Sequence, residues 1–211
     1  MNNPLDSLRT FWDERYAAEG FAYGTAPNSF LVEQAAALHP GDEVLCLADG
    51  EGRDGVWLAS RGARVTALDV SPVGLAKARQ LAGQAGVTLH TEVADVTTAD
   101  LGEARWALIA SIFLHLPADK RRALHHRCLR ALKPGGRLVY EVYGAGQAGR
   151  GTGGPKEPAL LPTLVEVEAD FAGVPGCTVR HRFQGVRAVH EGALHSGDGE
   201  VVQLVVERAA P

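Results

Sequence analysis

Short apolar runs alternate along this chain with stretches that repeat apolar residues at helical spacing, and that alternation predicts βα units around a parallel sheet. Glu43-Val44-Leu45-Cys46-Leu47-Ala48 is almost continuously apolar, as a strand buried on both faces requires. Arg53–Arg61 follows as a helix with Val56, Trp57 and Leu58 on its inner side, and Gly62 terminates it. Arg64–Val70 reads as a second strand that ends in Asp69. Ser71-Pro72 then supplies an N-cap and a proline at the first helical position, and the helix runs through Leu75, Ala78 and Leu81-Ala82 to stop before Gly86. Val87–Val93 reads as strand three and Trp106–Ile112 as strand four. Ala118–Leu132 is a helix cut off by Lys133-Pro134-Gly135-Gly136, and Arg137–Tyr143 is strand five. Beyond a glycine-rich stretch from Gly144 to Pro158, Leu160–Phe171 reads as a helix. Thr178–Val189 and Glu200–Glu207 read as two long strands with the turn residues Gly197-Asp198-Gly199 between them, an antiparallel pair.

Upstream of strand one, Leu5–Glu19 has Leu8, Phe11-Trp12 and Arg15-Tyr16 at helical spacing, and Ser29–Leu38 reads as a second short helix. The aromatic loop from Gly20 to Asn28 joins them. The expected architecture is α/β: a Rossmann-like, seven-stranded, mostly parallel sheet with a C-terminal antiparallel hairpin and helices on both faces. One domain over 1–211 is expected, with 1–40 as a helical cap and 144–159 as a lid loop.

Composition narrows the function classes. With 211 residues and 45% in the hydrophobic class, the chain can build a continuous core. Lys and Arg total 21 against 25 acids, a net charge of −4, so no global field recruits nucleic acid or an anionic membrane. No apolar run approaches the ~20 residues a bilayer span needs. The start, Met1-Asn2-Asn3-Pro4-Leu5-Asp6, lacks the basic and apolar regions of a secretory signal. Cys46, Cys128 and Cys177 are scattered and odd in number, which fits a reducing cytoplasm and neither a disulfide framework nor a metal site.

The strongest local signal is Gly50-Glu51-Gly52-Arg53-Asp54-Gly55, directly after a strand and opening a helix. Glycine lets the backbone turn tightly and approach a ligand, and the helix N-terminus offers unpaired N–H groups. Asp69, at the end of strand two, can accept from both hydroxyls of a ribose; Asp95, past strand three with Val96 following, can read an adenine edge. The competing reading makes the glycines a tight turn and the aspartates helix caps. A dinucleotide would bring a doubly charged pyrophosphate to this turn, which Asp49, Glu51 and Asp54 oppose; a zwitterionic amino acid tail and a sulfonium suit the acids better.

With these residues in view, the chain resembles the class I S-adenosylmethionine-dependent methyltransferases. Val44 to Arg53 is similar to their first motif, Val65 to Ser71 to the ribose-binding motif, Ala94-Asp95-Val96 to the adenine-binding one, and Leu132 to Leu138 to the lead into strand five. By this resemblance Ala48, Asp49, Gly50 and Gly52 contact the donor's amino acid end, Asp69, Val70 and Ser71 its ribose, and Asp95 and Val96 its adenine. Ser111 on strand four completes that set. The ends, Phe11 to Tyr16 with Tyr23 to Asn28, then Gly151 to Pro155, His190-Glu191-Gly192 and His195-Ser196-Gly197, look like the tellurite-resistance-type and thiopurine-type members. That resemblance implies that Arg15 and Tyr23 sit over the methionine end. Two departures stand out: the family often has an acid at the position of Cys46 and Gly-Cys at Ala48-Asp49, so Asp49 is the candidate to hold the ammonium.

A sulfonium methyl is already activated, so such an enzyme needs chiefly to position its reactants, with a base only where the nucleophile must lose a proton. His115, after strand four, is the candidate catalytic residue; its alternative is a histidine bonded to backbone. Tyr23, Tyr143 and His195 are the substrate-side candidates, Tyr143 being otherwise a packing residue. His190-Glu191 resembles the start of a zinc motif, but the second histidine comes five residues later, on another helix face at ~100° per residue, so no metal is expected. The helix with Lys120, Arg121, Arg122, Arg127 and Arg130 reads as a solvated basic face without stacking aromatics. The expected protein methylates a small molecule or oxyanion, such as a thiol, tellurite, selenite or a metabolite. The alternatives are a nicotinamide-dependent oxidoreductase on the same glycine loop and a non-catalytic cofactor- or RNA-binding module.

Overall fold

The computed structural model describes residues 4–192 and 194–210. The extreme N-terminus, Met1 to Asn3, read above as no leader, lies outside the described residues. A seven-stranded sheet has the order β3-β2-β1-β4-β5-β7-β6. Its strands are β1 (Glu43–Leu47), β2 (Arg64–Asp69), β3 (His90–Val93), β4 (Trp106–Ile112), β5 (Leu132–Tyr143), β6 (Cys177–His190) and β7 (Ser196–Arg208). The pairs β1/β2, β2/β3 and β4/β5 are parallel, while β5/β7 and β6/β7 are antiparallel. The helices are α1 (Pro4–Tyr16), α2 (Ser29–Gln34), α3 (Arg53–Ser60), α4 (Pro72–Gln84), α5 (Ala118–Ala131) and α6 (Leu164–Ala169). The expected sheet, its mostly parallel pairing and its closing hairpin are therefore as the residue pattern required.

The chain forms two compact units. One runs through Ala99 and includes Glu191–Leu194; the other comprises Asp100–His190 and His195 onward. In the first unit, β1 and β2 are buried along nearly their whole length, which explains why they read as unbroken apolar runs. β3 is the outer strand and largely exposed, and it is shorter than the Val87–Val93 expected, beginning only at His90. Ser71 caps α4 by accepting from the Gly74 N–H at 3.0 Å, with Pro72 at its first turn. In the second unit, β7 lies between β5 and β6 and is buried from Gly199 to Val206, whereas β6 is an alternating edge strand.

Three local expectations need correction. The hairpin turn is not at Gly197-Asp198-Gly199, because Val189 pairs with Gly197, Ala188 with Asp198 and Arg187 with Gly199; the strands part only around Glu191–His195. Those glycines answer to packing: a Cβ on Gly199 would meet the Tyr143 ring at 2.7 Å, and one on Gly197 would meet Thr152 at 2.7 Å. The expected helix Leu160–Phe171 is interrupted by Pro162 and restarts at Thr163, whose hydroxyl accepts from the Glu166 N–H while the Glu166 carboxylate accepts from the Thr163 N–H. Finally, α5 is not simply a solvated face. Arg121 and His125, four residues apart, are buried and converge on Asp170, at 2.7 Å and 3.0 Å. His125 also stacks on Phe171, with ring centroids 5.0 Å apart.

Candidate functional site

The glycine turn is built as its sequence demands. Gly50 and Gly52 have φ of 56° and 89°, and each is closely approached: a Cβ on Gly50 would sit 2.5 Å from the Tyr16 hydroxyl, and one on Gly52 would sit 2.6 Å from Cβ of Ala78. Ala48 also holds a positive φ, 53°, where the resembled family places glycine. Strain of that kind, about 1–2 kcal/mol for a residue with a Cβ, concentrates at ligand sites. Asp69 receives the turn: its Oδ2 accepts from the Gly50 N–H at 2.9 Å and its Oδ1 from the Ser71 N–H at 2.8 Å. Burial raises its pKa to about 6, against the opposing pull of the Ser71 and Gly50 N–H groups.

The three loop acids have different fates. The Glu51 carboxylate pairs with Lys77 at 3.0 Å and accepts from the Ala22 N–H at 2.7 Å, which ties the aromatic loop to the turn. Asp54 accepts from the Asn28 N–H at 2.7 Å. Asp49 Oδ1 accepts from the Gly55 N–H at 3.2 Å, but its buried Oδ2 has no hydrogen-bond partner among the described residues. Gly55 is glycine because a Cβ there would lie 2.4 Å from that oxygen. Burial and then the neighbouring Asp54 charge push the Asp49 carboxyl well above the usual carboxylate range. The charge argument read from sequence thus narrows from three acids to Asp49. Burial raises the Cys46 thiol in the same way, so it stays protonated.

Around this turn the structure places Arg15 and Tyr23 together, the guanidinium donating to the Tyr23 hydroxyl at 2.9 Å. Tyr16 was not singled out in the sequence; its ring lies against Gly50 and Gly74 and stacks on Trp12 at 5.5 Å. The backbone of Val70 accepts from Arg9 at 3.3 Å, and the Ser71 hydroxyl bonds to Asp13. Asp95 caps its own loop, accepting from the N–H and the hydroxyl of Thr97 at 2.8 Å each, while Val96 is buried.

In the second unit, Ser111 is buried on β4. His115, Tyr143 and His195 come together: the His115 and Tyr143 rings are 6.1 Å apart and nearly parallel, and Tyr143 and His195 are 5.3 Å apart. Phe113, missed in the sequence, packs at 4.7 Å on both Tyr143 and His195 and holds a φ of 52° at the tip of β4. The Tyr143 hydroxyl donates to the Thr152 carbonyl at 2.9 Å. His115 Nδ1 lies 2.9 Å from the Leu160 carbonyl, so the proton sits there when the ring is neutral, and burial lowers its pKa to about 4. Its buried Nε2 has no partner among the described residues. His190, by contrast, is exposed on β6. No cluster of metal-ligating side chains occurs among the described residues, and none of their helices is long and apolar enough to cross a membrane.

Residues 44–136 match the family described as "Methyltransferase domain". This stretch, less than half of the chain, is similar to that domain. The chain is 28% identical over 144 residues to a 2-heptyl-1-hydroxyquinolin-4(1H)-one methyltransferase of Mycobacteroides abscessus, covering 67% of this chain and 62% of that protein. It is 27% identical over 113 residues to an uncharacterized protein of Mycobacterium bovis, covering 54% of this chain and 41% of that one. The chain therefore spans less than two thirds of the length of these relatives. Among solved structures, the N-methyltransferase NodS of Bradyrhizobium japonicum in complex with S-adenosyl-l-homocysteine is similar at a TM-score of 0.70 and 15% identity, over 96% of this chain and 98% of that one. At such identity the likeness establishes the fold.

Proposed function

We propose that this chain is an S-adenosylmethionine-dependent methyltransferase whose acceptor is a small molecule carrying an ionisable O–H, S–H or similar nucleophile. The observation that carries the reading is the pair of carboxylates flanking the glycine turn. Asp69 offers acceptor oxygens at a strand tip, and Asp49 offers a buried oxygen with no partner among the described residues, which an ammonium would satisfy. S-adenosylmethionine, when bound, supplies a methyl group already activated on a sulfonium. Asp69 would hold the ribose hydroxyls, with Val70 and Ser71 beside it, and Asp49 the ammonium. The turn of Ala48, Gly50 and Gly52 would leave room for the amino acid tail, and Arg15 with Tyr23 would cover it. Asp95 and Val96 would flank the adenine, and Ser111 completes the set by resemblance.

His115 fits the role of base or orienter. Its neutral ring donates from Nδ1 to Leu160, which leaves the Nε2 lone pair to accept a proton or a hydrogen bond from the acceptor. The Tyr143 ring lies nearly parallel to that of His115, and Phe113 and His195 pack on Tyr143, which adds aromatic surface beside it. The relative from Mycobacteroides abscessus is named for a hydroxylated aromatic heterocycle, and an acceptor of that chemical kind suits such a surface. A thiol, tellurite or selenite is the acceptor suggested by the resemblance of the chain ends. A nicotinamide dinucleotide would bring a pyrophosphate rather than an ammonium to Asp49, leaving no cation to hold that buried carboxyl ionised.

The test is transfer of a labelled methyl group from S-adenosylmethionine to a panel of hydroxylated heterocycles, thiols, tellurite and selenite. Label on at least one is expected. Label on none, from protein that binds S-adenosylhomocysteine, would refute the acceptor class.

A further inference from the structure

The motif His190-Glu191-Gly192 has no part in the function so far. Glu191 is 3% exposed although it sits at the end of a hairpin. Its carboxylate pairs with Nη1 of Arg53 at 2.5 Å and accepts from Nδ2 of Asn28 at 2.9 Å. Arg53 is the first residue of α3 and directly follows Gly52. Asn28 is fully buried; its side chain caps α2 by accepting from the Leu31 N–H at 2.9 Å, and its own N–H donates to Asp54. Burial alone would lower the pKa of Arg53, but Asp54 and then Glu191 reverse that and hold the guanidinium charged. Beside this pair, two backbones touch. A Cβ on Gly192 would stand 2.3 Å from the carbonyl carbon of Tyr23 and 2.4 Å from the nitrogen of Gly24; one on Gly24 would stand 3.2 Å from Gly192. Both glycines have positive φ, 82° and 68°.

We infer that Glu191 is a positioning residue for the donor-binding turn, holding Arg53 and Asn28 so that Tyr23–Asn28 and the Gly50–Gly52 turn keep one fixed arrangement. The inference rests on the reading that this turn binds S-adenosylmethionine. The physical case lies in where the contacts fall. Glu191 touches the residue after the turn and the residue that ends the aromatic loop, while Glu51 ties the other end of that loop through Ala22. A buried ion pair stabilises little against an apolar pair of the same shape, but it fixes direction and distance, and removing one partner leaves a buried charge. Arg53, left with only Asp54 at 3.8 Å, would move toward water and carry the first turn of α3 with it. It would also set a net positive charge beside a site that must receive an ammonium.

Glu191→Gln removes the charge and keeps the shape. The expected result is a rise of about tenfold in the dissociation constant of S-adenosylhomocysteine by calorimetry, and a similar rise in KM for the donor with kcat at saturation within about twofold. Gly192→Ala, which forces the two backbones apart, is expected to weaken binding at least as much. Glu168→Gln, at the partly exposed pair with Arg182 on α6 and β6, is the control and should bind as wild type does. A Glu191→Gln protein that melts lower yet binds S-adenosylhomocysteine like wild type would overturn the inference, as would an equal loss in Glu168→Gln. If wild-type protein itself fails to bind S-adenosylhomocysteine, the functional reading falls, and that result is distinct from either of these.

Discussion

Asp69, proposed to hold the ribose, has an ionisation state that pH reads. In the free protein, burial lifts this carboxyl to about 6, although Ser71 and Gly50 donate backbone hydrogens to it. Two ribose hydroxyls donating to the same group would favour its ionised form, so the bound state has the lower pKa and binding releases a proton below about pH 6. The sign follows directly. From pH 8 to 7 the Asp69 carboxylate is already ionised and contributes no change; near pH 6 its contribution lowers affinity about twofold, and by pH 5 about tenfold, since each unit corresponds to about 1.4 kcal/mol. Asp49, also raised by burial, adds a loss of the same sign. Asp69→Asn separates the two. It removes a charged acceptor whose hydrogen bonds contribute about 1.5–3 kcal/mol, so affinity at pH 7.5 should fall roughly tenfold to a hundredfold, and the pH dependence that remains belongs to Asp49. The assay is calorimetric titration with S-adenosylhomocysteine at pH 5 to 8 in two buffers of different ionisation enthalpy. An affinity unchanged down to pH 5, or an Asp69→Asn protein that binds as wild type does, would refute this account of the strand tip.

Other perturbations separate the remaining parts. Asp49→Asn should weaken S-adenosylhomocysteine about tenfold at neutral pH, because a charged hydrogen bond to the ammonium is lost; equal affinity in both proteins counts against Asp49 as a ligand. His115→Gln should lower kcat by about 10²-fold or more while leaving S-adenosylhomocysteine affinity unchanged, and a wild-type kcat in the variant would remove His115 from the chemistry. With the His115 pKa at about 4, protonation of this ring should not limit the rate anywhere between pH 6 and 8. Asp170→Ala strands the buried Arg121 and His125 and should cost about 3 kcal/mol in denaturant unfolding, with donor affinity intact; a change in affinity without loss of stability would contradict the structural role given to that cluster.

The sheet was legible because β1, β2 and β4 are buried on both faces, and such strands leave unbroken apolar runs. The glycine turn was legible because positive φ and close approach at Gly50 and Gly52 exclude other residues. What was misread answers to contacts distant in sequence. Gly197 and Gly199 carry a turn signature but make room for Thr152 and Tyr143 within a strand. Arg121 and His125 look like solvent-facing charges until Asp170, 45 to 49 positions later, arrives beneath them. The capping box at Thr163 was present in the sequence and was masked by the helical spacing on either side of Pro162. Loop acids also could not be sorted by sequence, since Glu51 and Asp54 find partners at Lys77, Ala22 and Asn28, and only the fold brings those together. Phe113 left a fainter trace, an aromatic residue at a strand tip, and only its backbone conformation marks it.

The most direct test titrates the purified wild-type chain with S-adenosylhomocysteine and, separately, with NAD. Saturable one-site binding of the first, and none of the second at millimolar concentration, is the result expected if the carboxylates of Asp49 and Asp69 serve an amino acid tail and a ribose. Saturable binding of NAD with no response to S-adenosylhomocysteine would contradict it.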